Sequence, residues 1–215
     1  PLLKINGLSI ISHVFKKAEE ANIGEVLVAT EDQEIIEDVK QNGGQAILTS
    51  NEHKTGTDRI FEALQKLSRS DIDFVMNLQG DEPLINIEDI KNLNNKMIQT
   101  KSQLGTLASK VSDKKLYSDQ NVVKVVTKES LDISDFPEAL DFIRKTSNVS
   151  ENIYHHLGIY CYQLETLKNF VCYNQSSNEI KNRLEQLRAL DNNIKINVAL
   201  AKSSPIGVDT QEDFV

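Results

Sequence analysis

The sequence predicts an α/β protein, doubly wound in its first half, with a largely parallel sheet covered by helices on each side and a small β-rich insertion after residue 100. Three observations lead there. Short runs such as Val26-Leu27-Val28-Ala29 are apolar without alternation, the mark of strands buried on both faces. Segments with apolar residues at helical spacing separate those runs. The length of 215 residues suits one sizeable domain of this kind.

Taken in order, Ile10, Ile11, Val14, Phe15 and Ala18 predict the first helix, with a strand at 26–29 behind it. Ile35, Ile36 and Val39 predict a second helix that Gly43-Gly44 ends, and residues 46–49 the next strand. Ile60, Phe61, Leu64 and Leu67 form a helix leading into a strand at 74–78; Ile87, Ile90, Leu93 and Met97 form another helix. The rhythm then changes. Residues 104–111, 122–127 and 157–162 read as strands, and 131–153 as polar and irregular, so the region of about 104–156 is expected to be an insertion. A strong helix bearing Ile180, Leu184, Leu187 and Leu190 and a strand at 194–200 resume the wound pattern.

Composition removes several classes of function. A formal charge of −8 argues against a general nucleic-acid binder. No apolar run has the length of a membrane span. Cys161 and Cys172 sit in apolar surroundings without metal-ligand spacing, as free thiols do in a reducing compartment. No G-x-G-x-x-G follows a strand, which argues against a dehydrogenase.

Ligands of open α/β sheets sit past the carboxyl ends of strands, so the exits hold the candidate residues. In "HKTGTDR", residues 53–59, Thr55, Gly56, Thr57 and Arg59 gather backbone N–H groups, hydroxyls and a guanidinium in one turn, which suits a polar ring or a phosphate. The same stretch also reads as an ordinary helix cap made by Thr55 or Thr57. In "QGDEP" two acids leave a strand side by side, and they repel unless a cation is near. Asp81 there and Asp209 in "GVDTQED" are strand-end carboxylates from distant sequence, a cradle of the type Mg²⁺ takes together with substrate phosphates.

The strings "TGTDR", "NLQGDEPLI", "NVVKVV", "HLGIYCY", "EQLR" and "GVDTQEDF" stand in the order and approximate spacing of the 3-deoxy-manno-octulosonate cytidylyltransferases, and the resemblance covers nearly the whole chain. It implies transfer of CMP from CTP to the 2-hydroxyl of the acid sugar Kdo (3-deoxy-manno-octulosonate), for lipopolysaccharide synthesis in the cytoplasm. The fold it implies is a Rossmann-like, three-layer α/β/α of nucleotide-diphospho-sugar transferase type, with a mostly parallel mixed sheet, Mg²⁺ and a homodimer whose contact the region of about 104–156 carries. By the same resemblance Thr55, Gly56, Thr57 and Arg59 lie along the cytidine of CTP, and Asp81 with Asp209 holds Mg²⁺ as the catalytic pair. Gln79 touches the sugar, Gly80 lets backbone approach, Pro83 ends the strand, Glu82 stands behind Asp81, and His156, Tyr160, Glu185 and Gln186 contact Kdo.

Two departures from the family carry expectations of their own. The family's A-R-x-x-S-x-R-L-P-G-K turn would end where Pro1 begins, so the sequence lacks its triphosphate-binding cations and is expected to turn over poorly as it stands. The Ser-Arg and Ile-Pro segment is reduced to "DFIRKTSNVSENIY", in which Arg144 is the remaining fork for a sugar carboxylate. Two other readings stay open: a sialic acid or related acid-sugar cytidylyltransferase, and a nucleotide-binding module with impaired catalysis.

Overall fold

The computed structural model describes residues 1–69, 71–111, 113–147 and 150–203. They form two compact units, one of residues 1–72 and 77–91, the other of 73–76 and 92–203.

The first unit opens with a hairpin, β1 (Lys4–Ile5) antiparallel to β2 (Leu8–Ser9). Its turn is Asn6-Gly7, both at positive φ (52° and 84°), the backbone that a two-residue hairpin needs and that Asn-Gly adopts most readily. Ser9 then caps α1 (Ile10–Ala21), accepting from Ser12 N at 3.2 Å. The parallel pair β3 (Val28–Thr30) and β4 (Ala46–Leu48) flanks α2 (Gln33–Gln41), whose cap Asp32 accepts from Glu34 N at 2.8 Å. Asp38 of α2 accepts from the hydroxyls of Ser9 and Ser12, which ties α2 to the start of α1. Ile11, Phe15, Val28 and Val39 make the core of this unit. A Cβ on Gly44 would stand 2.8 Å from the Phe15 ring, so only glycine lets the chain turn so close to α1. The expectation that residues 46–49 are buried on both faces fails at Leu48, which is 47% exposed. Helix α3 (Gly56–Leu67) follows.

The second unit is built on a six-stranded mixed sheet in the order β10-β6-β9-β7-β8, with β5 (Phe74–Asn77) also paired to β9. Strands β6 (Leu104–Ser109) and β10 (Ile196–Leu200) run parallel. The pairs of β9 (Ile153–Gln163) with β6 and with β7 (Lys124–Thr127), and of β7 with β8 (Ala139–Ile143), are antiparallel. Helix α4 (Ile87–Thr100) precedes β6, and α5 (Leu164–Cys172), α6 (Ser177–Asn182) and α7 (Leu187–Asp191) lie between β9 and β10. No helix among the described residues is long and apolar enough to cross a membrane.

Three sequence expectations change here. Residues 131–153 contain β8, hidden because the β7–β8 register slips between Val126 and Thr127 and leaves Leu140 outward at 58% exposure, which breaks the two-residue period. Helix α5 begins directly at the end of β9, and Gln163 makes no side-chain cap, so neither a turn residue nor a capping residue announced it. The strong helix around 180–190 is two short ones. Arg183 takes left-handed φ and ψ (52°, 49°), Leu184 is buried just past it, and Ile180 is 61% exposed, so the apparent apolar stripe does not face one core.

The α6–α7 pair is locked from within. Arg188 donates from Nε (2.8 Å) and Nη2 (2.6 Å) to the carboxylate of Glu179 and stacks 4.6 Å from the centroid of the Phe170 ring, and both charged residues are almost fully buried. Glu179 also closes a capping box with Ser176. Replacing Glu179 with alanine leaves a buried guanidinium without its carboxylate. Chemical denaturation is expected to show a loss of about 3–5 kcal/mol; a loss under about 1 kcal/mol would mean the pair contributes little.

Candidate active site

In the first unit the candidates sit on two neighbouring turns. Between β4 and α3 the chain is gathered by Glu62 of α3, which pairs with Lys66 at 2.7 Å and with His53, and accepts from Ser50 N at 2.9 Å. Hydrogen bonds from Lys66, His53 and Ser50 N hold the Glu62 carboxyl down at about 2. The loop so fixed delivers Thr55 as the cap of α3: its Oγ1 accepts from Asp58 N at 3.3 Å and donates to Asp58 Oδ2 at 2.8 Å. Thr57 is buried. Arg59 points back to the ends of β3 and β4, donating to Thr49 Oγ1 (2.8 Å) and Ser50 O (3.3 Å) and pairing with Glu31.

A Cβ on Gly56 would meet Asn77 Nδ2 at 3.8 Å, an ordinary contact, so the first turn of α3 lies beside the end of β5. That strand stops at Asn77, ahead of the expected Leu78 and six residues before Pro83, so Pro83 is not what ends it. The turn that follows is closed by Glu82 N to Gln79 O (3.4 Å) and Ile85 N to Glu82 O (3.2 Å). Gln79 is exposed, Asp81 and Glu82 are half-buried, and Lys17 of α1 donates to Ile85 O at 3.0 Å to fix the far side. Gly80 is explained by packing within the unit, because a Cβ there would come within 2.9 Å of Ile11 Cδ1. Among the described residues no three His, Cys, Asp or Glu side chains gather as a metal site, and Asp209 lies outside the described residues. The donors at this turn are still the right kind for Mg²⁺, which takes hard oxygens and is usually held by one or two carboxylates completed by phosphates.

In the second unit the candidates lie on β9 and beyond α6. The β6–β9 register runs Thr106↔Tyr160 and then Leu107↔Leu157, so Gly158 and Ile159 form a two-residue bulge between His156 and Tyr160. Those two rings lie 5.5 Å apart by centroid, and Phe142 of β8 packs edge-on against His156 at 4.9 Å. His156 Nε2 is 2.9 Å from Thr106 Oγ1. Burial, with His155 beside it, pushes the His156 imidazole down to about 3, so the ring is neutral at working pH. Burial also lowers the ammonium of Lys124, whose Nζ donates to Asp119 O (2.6 Å), Val122 O (2.7 Å) and Arg144 O.

Arg144 does not stand as an open fork. Its Nε donates to Asn182 O (2.9 Å), Nη1 to Gln120 O (3.1 Å) and Nη2 to Arg183 O (2.9 Å), so each nitrogen makes a main-chain contact at the end of α6 or before β7, while Nη1 and Nη2 each keep a second N–H. What it holds is the turn that leads to Glu185 and Gln186. Those residues were expected side by side on a helix; they lie instead in the turn before α7, with Gln186 buried at its N-terminus.

The chain matches the family model described as cytidylyltransferase over residues 1–196. A 3-deoxy-manno-octulosonate cytidylyltransferase of Afipia carboxidovorans is 41% identical over 216 residues, covering 100% of this chain and 87% of that protein. One of Thermodesulfovibrio yellowstonii is 41% identical over 225 residues, covering 100% and 88%. The chain belongs to the 3-deoxy-manno-octulosonate cytidylyltransferase family. A solved CMP:2-keto-3-deoxy-manno-octonic acid synthetase in complex with CTP superposes with a TM-score of 0.87 at 33% identity, over 100% of this chain and 88% of that one. A UDP-glucose pyrophosphorylase, at 13% identity and a TM-score of 0.72, shares the fold alone.

For a Kdo cytidylyltransferase, sequence reading missed three supporting residues: Thr106, Asn77 and Glu62. Each is a buried or half-buried polar side chain in or beside an apolar run, and that mismatch is the only signal the sequence offered. His156 yields a check on the account. A folded value of about 3 against 6.5 means the unfolded chain takes up this proton first, so its contribution is whole above pH 6.5 and is lost as pH falls toward 3. Between pH 7 and pH 5 the wild type is expected to lose about 2 kcal/mol more stability than His156→Gln does, read by urea unfolding at both values. Equal losses would show that the imidazole is charged in the fold.

Proposed function

We propose that the chain transfers CMP from CTP to the 2-hydroxyl of Kdo, giving CMP-Kdo and pyrophosphate for lipopolysaccharide synthesis, with Mg²⁺ as cofactor, in the cytoplasm and as a homodimer. Membership of the family across the whole chain carries this reading. The dimer is supported by the exposed apolar side chains Ile133 (87%) and Leu140 (58%) in the region expected to pair.

The first turn of α3 receives the nucleotide. Its N-terminal N–H groups and the Thr55–Thr57 segment suit a polar, anionic ligand, and Gly56 leaves backbone open to close approach. Arg59 acts at one remove, by bracing the loop that carries Thr55. Asp81, with Asp209, would hold Mg²⁺, which neutralises phosphate charge. In the second unit His156, Tyr160, Glu185 and Gln186 receive the acid sugar, His156 as a neutral hydrogen-bonding group, since an imidazole with so low a pKa is a poor general base. The sugar hydroxyl attacks the α-phosphorus in line, the new O–P bond forms as the bond to the β-phosphate oxygen breaks, and pyrophosphate leaves. Holding the two reactants in line supplies much of the acceleration.

Pyrophosphate release from CTP by the full-length protein is expected with Kdo and not with N-acetylneuraminate; the reverse preference would move the assignment to a sialic acid enzyme. Asp81→Asn is expected to lower kcat by about a hundredfold or more with stability little changed. Gly56→Ala discriminates the nucleotide site from a mere helix cap. The chain's own packing accepts the methyl group, so stability should hold or rise by up to about 1 kcal/mol while the KM for CTP climbs. An unaltered KM for CTP would place the nucleotide elsewhere.

A further inference from the structure

We propose that Thr106 is a positioning residue for the acid-sugar site: its hydroxyl closes the β9 bulge and fixes His156 as the Nε2–H tautomer, so that Nδ1 is presented as an acceptor to a sugar hydroxyl. This rests on the reading of His156 as a sugar contact given above.

The hydroxyl of Thr106 has three neighbours and one proton. Ile159 O lies at 2.7 Å, Leu157 O at 3.3 Å and His156 Nε2 at 2.9 Å. Carbonyl oxygens only accept, so the proton of Thr106 goes to a carbonyl, the shorter contact being Ile159 O. The oxygen of Thr106 is left to accept, and among the described residues the donor facing it is His156 Nε2–H. A neutral imidazole carries one N–H, so Nδ1 bears the lone pair. Among the described residues no hydrogen bond is made to Nδ1.

The same hydroxyl has a second task. Gly158 and Ile159 have no partner in the β6 register, and their bulge leaves the Ile159 carbonyl facing the buried Thr106 side chain and not a β6 N–H. Thr106 is fully buried and satisfies that carbonyl, which fixes the spacing of His156 and Tyr160 on either side of the bulge. A valine has the same shape and no hydroxyl, whereas a serine keeps the oxygen, so the pair separates hydrogen bonding from packing.

The experiment is ¹⁵N NMR of the His156 side chain, assigned by its loss in His156→Gln, combined with steady-state kinetics of wild type, Thr106→Val and Thr106→Ser. The wild type should show the Nε2–H tautomer; an Nδ1–H ring in the wild type overturns the proposal without any activity measurement, and whether or not the valine variant folds. Thr106→Val should lose that tautomer preference and raise the KM for Kdo about tenfold or more with the KM for CTP within about twofold, and Thr106→Ser should restore both. A shifted tautomer with an unchanged KM for Kdo refutes the positioning role and leaves the proposed function standing. Absence of turnover with Kdo in the wild type refutes the function instead, and the tautomer result is read independently of it.

Discussion

Polar atoms inside the six-stranded sheet have no water to turn to, so each irregular stretch of backbone there must be satisfied by a side chain. That constraint shapes the second unit. Strand β9 pairs with β5, β6 and β7, and it is interrupted at its middle by the bulge that Thr106 closes. Lys124 does the same for the loop ends before β7 and after β8 by donating to three carbonyls. Tyr154 does it beyond β7, where its hydroxyl accepts from Leu131 N at 2.9 Å. An ammonium, a hydroxyl and a phenol thus occupy places where apolar residues would pack as well but would leave carbonyls or N–H groups stranded.

A guanidinium frame extends that logic to the turn bearing Glu185 and Gln186. Arg144 binds the carbonyls of Asn182 and Arg183 at one end, and Arg188 grips Glu179 across the same turn at the other. Arginine suits both positions because its rigid fork serves several acceptors at once, and lysine would not reproduce that geometry. The consequence for chemistry is indirect but firm: Glu185 and Gln186 owe their placement to cations that themselves touch main chain and carboxylate.

Much of the fold was legible in the sequence wherever periodicity and burial agree. The helices α1, α2, α3 and α4 and the strands β3, β5, β6, β7 and β10 fall close to where the apolar spacing puts them, most plainly α1 and β6, whose apolar residues are buried, whereas the stripe of α3 is only half-buried. Legibility failed where a bulge or a left-handed residue broke the period: β8 at its slip, β9 before its bulge, and the α6–α7 pair at Arg183. For the site, the strings 55–59 and 79–82 fell on adjoining turns of one unit as the strand-exit argument expects. For Arg144, residue type shows that a fork is present and not that it rests on the carbonyls of Gln120, Asn182 and Arg183. Thr106 was invisible, since a threonine in a β-strand needs no special reason.

The central claim is that β9 and the α6–α7 turn present a neutral imidazole acceptor and a pre-placed Glu185–Gln186 pair to the sugar, with Arg144 bracing that turn through main-chain carbonyls. A crystal structure of the full-length protein with CTP, Mg²⁺ and Kdo tests it most directly. The account predicts a Kdo hydroxyl about 2.6–3.2 Å from His156 Nδ1, with the Arg144 guanidinium still on the carbonyls of Gln120, Asn182 and Arg183. A complex in which Arg144 has left those carbonyls to clasp the sugar carboxylate, with His156 out of reach of the ligand, would contradict it.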